Sequence, residues 1–171
     1  MVKVKGSVVT LILVRNNMKL SKNFWLSEFT RSSTAKRLGI KNEPTEEHLA
    51  NMKLLCEEIL EPIREHFNHP IFISSGYRSK ELNAKTPKAS KTSQHSTGEA
   101  VDIDMDGSKV TNAEVFNFIK ENLVFDQLIW EFGTDKNPNW VHVSYESKGL
   151  PRKQILKALP GKQKTFYKVM K

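Results

Sequence analysis

The fold of this chain can be read from the run QLIWEFGTDKNPNWVHVSY, residues 127–145. Both ends of the run are rich in β-branched and aromatic residues, while the middle, residues 133–139, is polar and contains Gly and Pro. This pattern predicts a β-hairpin with strands over residues 127–132 and 140–145. The domain therefore contains antiparallel sheet.

Side chains alternate between the two faces of a strand, so each polar residue of the hairpin can be assigned to one face. Ile129 and Glu131 share one face of the first strand, and Trp140, His142 and Ser144 share one face of the second. His142 thus projects from a rigid element, which is the position expected of a metal ligand. A carboxylate on a strand as apolar as LIWEF also indicates a function.

A second chemical cluster precedes the hairpin in the stretch SQHSTGEAVDID, residues 93–104. A strand is predicted over residues 100–105, and Gly98 allows the chain to turn just before it. Asp102 lies on this strand, so its carboxylate can share a face with the imidazole of His95 from the preceding loop. Two imidazoles and one carboxylate are a ligand set that suits a catalytic zinc ion.

The remaining elements complete an α+β fold: a small, mainly antiparallel sheet with helices packed on one side. Apolar residues at helical spacing predict a long helix that begins at Pro44–Thr45 and is kinked or divided at Pro62. A capping box at Thr111–Glu114 starts another helix. Further predicted elements are a short helical segment at 24–39, a strand at 71–74, a short helix at 80–83, a closing helix at 153–159 and a loose tail after Pro160.

Composition limits the function. With 171 residues and 38% hydrophobic content, the chain has room for one core. The net charge of +8 favours an anionic partner such as an acidic polymer. Basic residues are scattered, without the aromatic interleaving of nucleic-acid binders, so no nucleic acid is expected as a partner. Cys56 is the only cysteine, which excludes an intrachain disulfide and a Cys-rich zinc site.

We predict three segments: an extension over residues 1–19, a single domain over 20–159 and a basic tail over 160–171. The extension contains the apolar run VVTLILV, residues 8–14. This run is too short to span a bilayer, so no stable membrane insertion is expected, and no A-x-A-like cleavage site follows it. A strand-like or disordered extension is favoured over an export signal, and Met18 is an alternative start.

Three blocks of the sequence resemble the D-Ala-D-Ala carboxypeptidase family of zinc peptidases. That family includes carboxypeptidases, dipeptidases and peptidoglycan endopeptidases, among them phage endolysins. The resemblance runs from about Phe24 to Leu156, with the blocks in the family's order. The blocks are SSGYRS at residues 74–79, the pattern S-x-H-x-x-G-x-A-x-D at Ser93, His95, Gly98, Ala100 and Asp102, and the pattern W-x-H at Trp140 and His142.

The resemblance implies a site. It makes His95, Asp102 and His142 the ligands of Zn²⁺ and implies the fold of D-Ala-D-Ala peptidases and hedgehog-like domains. It also implies that Arg78 lines the substrate cleft, where a guanidinium binds a peptide carboxylate or stabilises the oxyanion. Further substrate-binding residues are then expected at Ser93, Gln94 and Trp140.

The general base is the point at which this chain departs from the family. Several members carry a Glu three residues before the last His ligand, and others carry a His two residues before it. Here those positions are Asn139 and Trp140, which do not accept protons usefully. We therefore assign Glu131 as the catalytic base and later acid, with Asp104, Asp126 or a structural role for Glu131 as alternatives.

The expected function is zinc-dependent hydrolysis of peptide bonds in bacterial peptidoglycan, by a carboxypeptidase or an endopeptidase, with stem peptides as the partner. A non-catalytic zinc module on the same scaffold is the alternative. We expect a monomer of phage or bacterial origin, made in the cytoplasm and acting on the cell wall or in the periplasm. Which bond is cut stays open among L-Ala-D-Glu, D-Ala-D-Ala and a cross-bridge.

Overall fold

A computed structural model describes residues 18–162 and 164–170 of the chain. The predicted N-terminal extension, apart from its last two residues, lies outside the described residues. Within them, no helix is both long enough and apolar enough to cross a membrane.

The sheet has six strands in the spatial order β1-β2-β4-β3-β5-β6. The predicted hairpin is present as β3 and β4, and β2 pairs with the other edge of β4. Every neighbouring pair is antiparallel except β3 and β5, which are parallel. The strands are β1 (Ile73–Ser75), β2 (Ala100–Ile103), β3 (Gln127–Glu131), β4 (Trp140–Ser144), β5 (Gln154–Leu159) and β6 (Phe166–Val169).

The helices begin where the sequence supplies caps. Thr45 accepts a hydrogen bond from the His48 backbone N–H at 3.2 Å, and Thr111 and Glu114 form the predicted capping box. Pro62 follows a π-helical turn that divides the long helix, as predicted for a proline in its interior. The helices are α1 (Leu26–Thr30), α2 (Ser33–Leu38), α3 (Glu46–Leu55), the π-turn (Cys56–Leu60), α4 (Glu61–Phe67), α5 (Lys80–Lys85), a 3₁₀ turn (Gln94–Ser96) and α6 (Asn112–Asn122).

The two faces of the sheet have different environments. Alternate strand residues such as Val101, Leu128 and Val143 are fully buried in one core together with the apolar side chains of α3, the π-turn, α4 and α6. The residues between them, including Asp102 and Glu131, point to the opposite face. The predicted α+β class with a mainly antiparallel sheet is confirmed, and the polar groups of interest lie on the face away from the main core.

Two predictions for the C-terminal part are wrong. The expected closing helix at 153–159 is strand β5, which lies beside β3 in parallel. The expected loose tail contains strand β6, which pairs with β5 over residues 166–169. The run QILKAL is short enough to fit a helix or a strand, and its hydrogen bonds to β3, far away in sequence, decide the outcome.

Candidate metal centre

Strand pairing and one turn bring the three predicted ligands together. Asp102 on β2 lies directly opposite His142 on β4. His95 lies in the 3₁₀ turn that precedes β2. The chain passes from this turn into the strand through Gly98, whose φ is +78°. A Cβ at that position would lie 2.6 Å from the His48 carbonyl oxygen, so both the backbone conformation and the space require glycine.

The three ligand atoms form a nearly equilateral triangle. Nε2 of His95 lies 3.2 Å from Nδ1 of His142 and 3.3 Å from Oδ1 of Asp102. Nδ1 of His142 lies 2.9 Å from the same carboxylate oxygen. In a tetrahedral zinc site with bonds of about 2.0–2.2 Å, ligand atoms are separated by roughly 3.3–3.6 Å. The observed triangle is only slightly smaller, so these residues fit a zinc ion with a fourth position left for water.

The backbone sets the orientation of His95. Its Nδ1 donates a hydrogen bond to the carbonyl oxygen of Gly76 at 2.7 Å, which leaves a lone pair on Nε2 of the neutral ring. Burial lowers the pKa of His95, although Asp102 opposes this effect. The neutral form needed for metal binding is therefore favoured. A Cβ at position 76 would lie 2.6 Å from the backbone of Phe29, so the close approach requires glycine there.

The carboxylate of Asp102 is held ionised at one corner of the triangle. Burial by itself would raise its pKa, but His95 and His142 outweigh burial and lower that pKa far below its usual value. Its second oxygen, Oδ2, lies 3.5 Å from Nη1 of Arg78. Asp102 is thus ionised and positioned from both sides, as a metal-binding carboxylate requires.

Arg78 lies beside the triangle on the segment after β1. Its Nη1 donates to Ser75 Oγ at 2.8 Å, and its Nη2 donates to Ser93 Oγ at 3.4 Å. Burial lowers the pKa of Arg78, whereas Asp102 and Glu131 oppose the change, and a guanidinium stays charged at neutral pH. The structure therefore places Arg78 and Ser93 together, with a fixed positive charge at the edge of the candidate centre.

Glu131 is buried on the same face. It lies directly opposite Trp140 in the hairpin, while its neighbour Ile129 lies opposite His142, so Glu131 is diagonal to that ligand. Its exposed fraction is 7%. Burial raises the pKa of Glu131 to about 7, with smaller influences from His142, which lowers it, and Asp102, which raises it. A carboxylate with this pKa can accept and return a proton near neutral pH.

A cavity of about 500 Å³ connects these groups. The three ligand residues, Arg78, Ser93, Gln94, Glu131 and Trp140 all line it, so the cavity contains every residue that the sequence assigned to the site. Phe132 packs edge-on against Trp140, with ring centroids 5.3 Å apart, and has a φ of +55°. Such a conformation is strained for a bulky residue, and it turns the chain sharply after Glu131.

Both alternative bases have other roles. Asp126 accepts hydrogen bonds from Arg152, through the backbone and the guanidinium, and from Gln94 Nε2 at 2.9 Å. Burial alone would raise its pKa, but these bonds lower it. Asp104 accepts from the backbone N–H of Asp106 at 3.0 Å. Gln94 also accepts from Arg152 at 3.0 Å, so both ends of its amide are bound to protein groups.

We expect Asp126→Asn to lower the free energy of unfolding by about 2 kcal/mol at pH 7, measured by urea titration. The side chain is 2% exposed, and the change removes the charge that holds Arg152. Because the folded-state pKa of Asp126 is lowered, its stabilisation is present at neutral pH and is lost as the pH falls through that pKa. The matched control is Asp135→Asn, since Asp135 is 96% exposed and should change stability little. Equal effects of the two substitutions would contradict the prediction.

The structure also adds cavity residues that the sequence did not indicate. Lys88, Arg152, Thr165 and Tyr167 line the same space. Arg152 lies just before the segment that was expected to be a helix, and Thr165 and Tyr167 lie in the expected loose tail. Alternation in FYKV was the available signal, but a run of four residues is too short to carry a strand prediction.

Comparison with known protein families gives a match over most of the domain. The sequence profile of the family described as Peptidase M15 matches residues 22–144, which is more than half of the chain. No curated protein matches the chain. The matched region contains all three candidate ligands together with Arg78 and Glu131.

Proposed function

Because this chain belongs to the peptidase M15 family of zinc-dependent metallopeptidases, we propose that it hydrolyses peptide bonds of bacterial peptidoglycan. The observation that carries the proposal is the triangle of His95, Asp102 and His142, whose ligand atoms lie 2.9–3.3 Å apart. This set offers three protein ligands, which is the number typical of catalytic zinc, whereas structural zinc sites generally have four.

The residues around the triangle supply the other parts of a hydrolytic mechanism. A bound zinc ion acidifies a water molecule toward a pKa of about 7 and polarises a carbonyl group. Glu131 takes a proton from the attacking water and returns it to the leaving amine, a role suited by its pKa of about 7. Arg78 contributes positive charge where the oxyanion develops, and it also holds Oδ2 of Asp102.

The charge of the protein fits a peptidoglycan substrate. Stem peptides carry several carboxylates, and the chain has a net charge of +8. Lys88, Arg78 and Arg152 all line the cavity, so part of this charge lies at the site itself. We place the activity at the cell wall or in the periplasm. Either a carboxypeptidase or an endopeptidase is consistent with these features.

The test is cleavage of purified muropeptides by the purified chain, followed by mass spectrometry of the products. We expect hydrolysis that a chelator abolishes and that added Zn²⁺ restores. The product masses identify the bond that is cut. Zinc uptake without any cleavage would overturn the proposal and favour a non-catalytic zinc module. Cleavage that persists in chelator would exclude the metal from the reaction.

A further inference from the structure

The C-terminal strands contribute directly to the cavity, although they follow the region matched by the family profile, which ends at residue 144. β5 pairs with β3, and β6 pairs with β5. The pairing places four residues in one row across the sheet: Trp140, Glu131, Ala158 and Tyr167. Residues directly opposite one another share a face, so Tyr167 lies on the same face as Glu131.

A small residue separates the two polar groups. Ala158 stands between Glu131 and Tyr167 in the row and is fully buried. Neighbouring strands lie about 4.8 Å apart, so the backbones of β3 and β6 are roughly 10 Å apart. A large side chain at position 158 would fill the space between them. The methyl group of alanine fills little of that space, and Glu131 and Tyr167 on either side of it both line the cavity.

Tyr167 is a neutral hydrogen-bond donor in this position. Its pKa is raised by burial and by the negative charges of Glu131 and Asp102, and a hydrogen bond with Thr165 opposes the rise. The phenol therefore keeps its proton at neutral pH and is able to donate it in a hydrogen bond. Its side chain is also accessible, because the residue is 53% exposed.

The β5–β6 turn is tied to the opposite side of the cavity. Lys88, from the loop after α5, donates a hydrogen bond to the carbonyl oxygen of Gly161 at 3.0 Å. Lys88, Thr165 just before β6, and Tyr167 on β6 line the same cavity. The hairpin is thus attached at both its strand edge and its turn, which fixes the backbone that carries Tyr167.

We propose that Tyr167 is a substrate-binding residue that donates a hydrogen bond to the peptide backbone or a carboxylate one or two residues from the cleaved bond. The inference rests on the proposed peptidase function. β6 is separated from β4, which carries His142, by two strands, so about 14 Å lies between their backbones. Tyr167 is not one of the three candidate metal ligands, and its strand lies to one side of them in the sheet. A peptide advances about 3.3–3.6 Å per residue, and therefore a flanking residue reaches the phenol.

The test compares Tyr167→Phe with the wild-type chain on two substrates. One is a complete stem peptide, and the other is truncated to the residues on either side of the cleaved bond. We expect KM for the long substrate to rise about 5- to 10-fold, as for the loss of one hydrogen bond, with kcat changed less than about twofold. On the truncated substrate the variant and the wild type should have the same KM.

Tyr145→Phe is the matched control. It removes the same hydroxyl group from a residue that packs against the main core. It should leave both KM values unchanged. Zinc content and melting temperature of Tyr167→Phe should equal those of the wild type, which separates substrate binding from a structural role. An unchanged KM for the long substrate, or an equal rise for both substrates, would overturn the inference. If the wild type cleaves neither substrate, the proposed function fails instead.

Discussion

His142→Ala is expected to weaken zinc binding by about a thousandfold and to reduce peptide hydrolysis below detection. Apparent zinc-binding free energies of about 10–16 kcal/mol, shared among the ligands, give roughly 4 kcal/mol for one of three. A difference of about 1.4 kcal/mol changes an equilibrium constant tenfold. Titration with a chromophoric competitor measures the affinity, and the muropeptide assay measures the rate.

His66→Ala provides the matched control for this substitution. His66 stacks on Phe118 at a centroid distance of 4.1 Å, on the helix side of the sheet and outside the cavity. Its loss should leave zinc affinity and turnover unchanged. If His142→Ala kept wild-type zinc affinity, the triangle would not be the metal site, even if activity fell.

The hairpin and the sheet face that carries the candidate ligands Asp102 and His142 were predictable because local sequence patterns determine them. Period-two alternation in LIWEF and WVHVS fixes which side chains share a face, and an antiparallel hairpin places them on one sheet. The resemblance to the D-Ala-D-Ala carboxypeptidase family, now confirmed at the family level, supplied the partner ligand His95 in its loop. That loop position depends on Gly98, where the sequence predicted a turn and the structure has a φ of +78°.

The far side of the cavity was not predictable for a physical reason. β5 forms by parallel pairing with β3, and the two segments are separated by β4 and the loop after it. Its side chains Leu156 and Ala158 pack with Ile129 in a small cluster of their own, separate from the main core. No local pattern encodes such contacts, and so Arg152 and Tyr167 were missed as cavity residues.

For Glu131 the sequence predicted the face of the sheet but not the pKa. Alternation placed its side chain on the ligand face, and the structure puts it in the cavity diagonal to His142. Its pKa depends on burial, which only the assembled sheet determines. The alternative base Asp126 accepts hydrogen bonds from Arg152, which lies just before the segment whose fold the sequence predicted wrongly.

Glu131→Gln is expected to leave zinc bound and to lower kcat by about 10²- to 10⁴-fold, the usual contribution of general acid–base catalysis. The amide keeps the size of the side chain but cannot take the proton of the attacking water. Zinc content, measured by elemental analysis, should equal that of the wild type. Turnover within a few-fold of the wild type would remove Glu131 from the mechanism. If the position of the carboxylate matters, adding Gln127→Glu to the Glu131→Gln variant should not restore kcat.

The same substitution should make the metal-free protein more stable at high pH. The folded-state pKa of Glu131 is raised from 4.5 to about 7, so its contribution to stability is present at low pH and is lost as the pH rises through about 7. A pKa difference of this size corresponds to about 3 kcal/mol of folding free energy. The wild type loses this stability as the pH rises, and the glutamine variant does not. Urea unfolding in chelator at pH 5 and pH 8 measures it: the variant should gain on the wild type much more at pH 8 than at pH 5. Added zinc should reduce the gain, because a nearby cation favours the carboxylate. A variant that is less stable than the wild type at pH 8 would show that the surroundings stabilise the ionised carboxylate of Glu131. The raised pKa, and with it the argument for Glu131 as a base at neutral pH, would then be wrong.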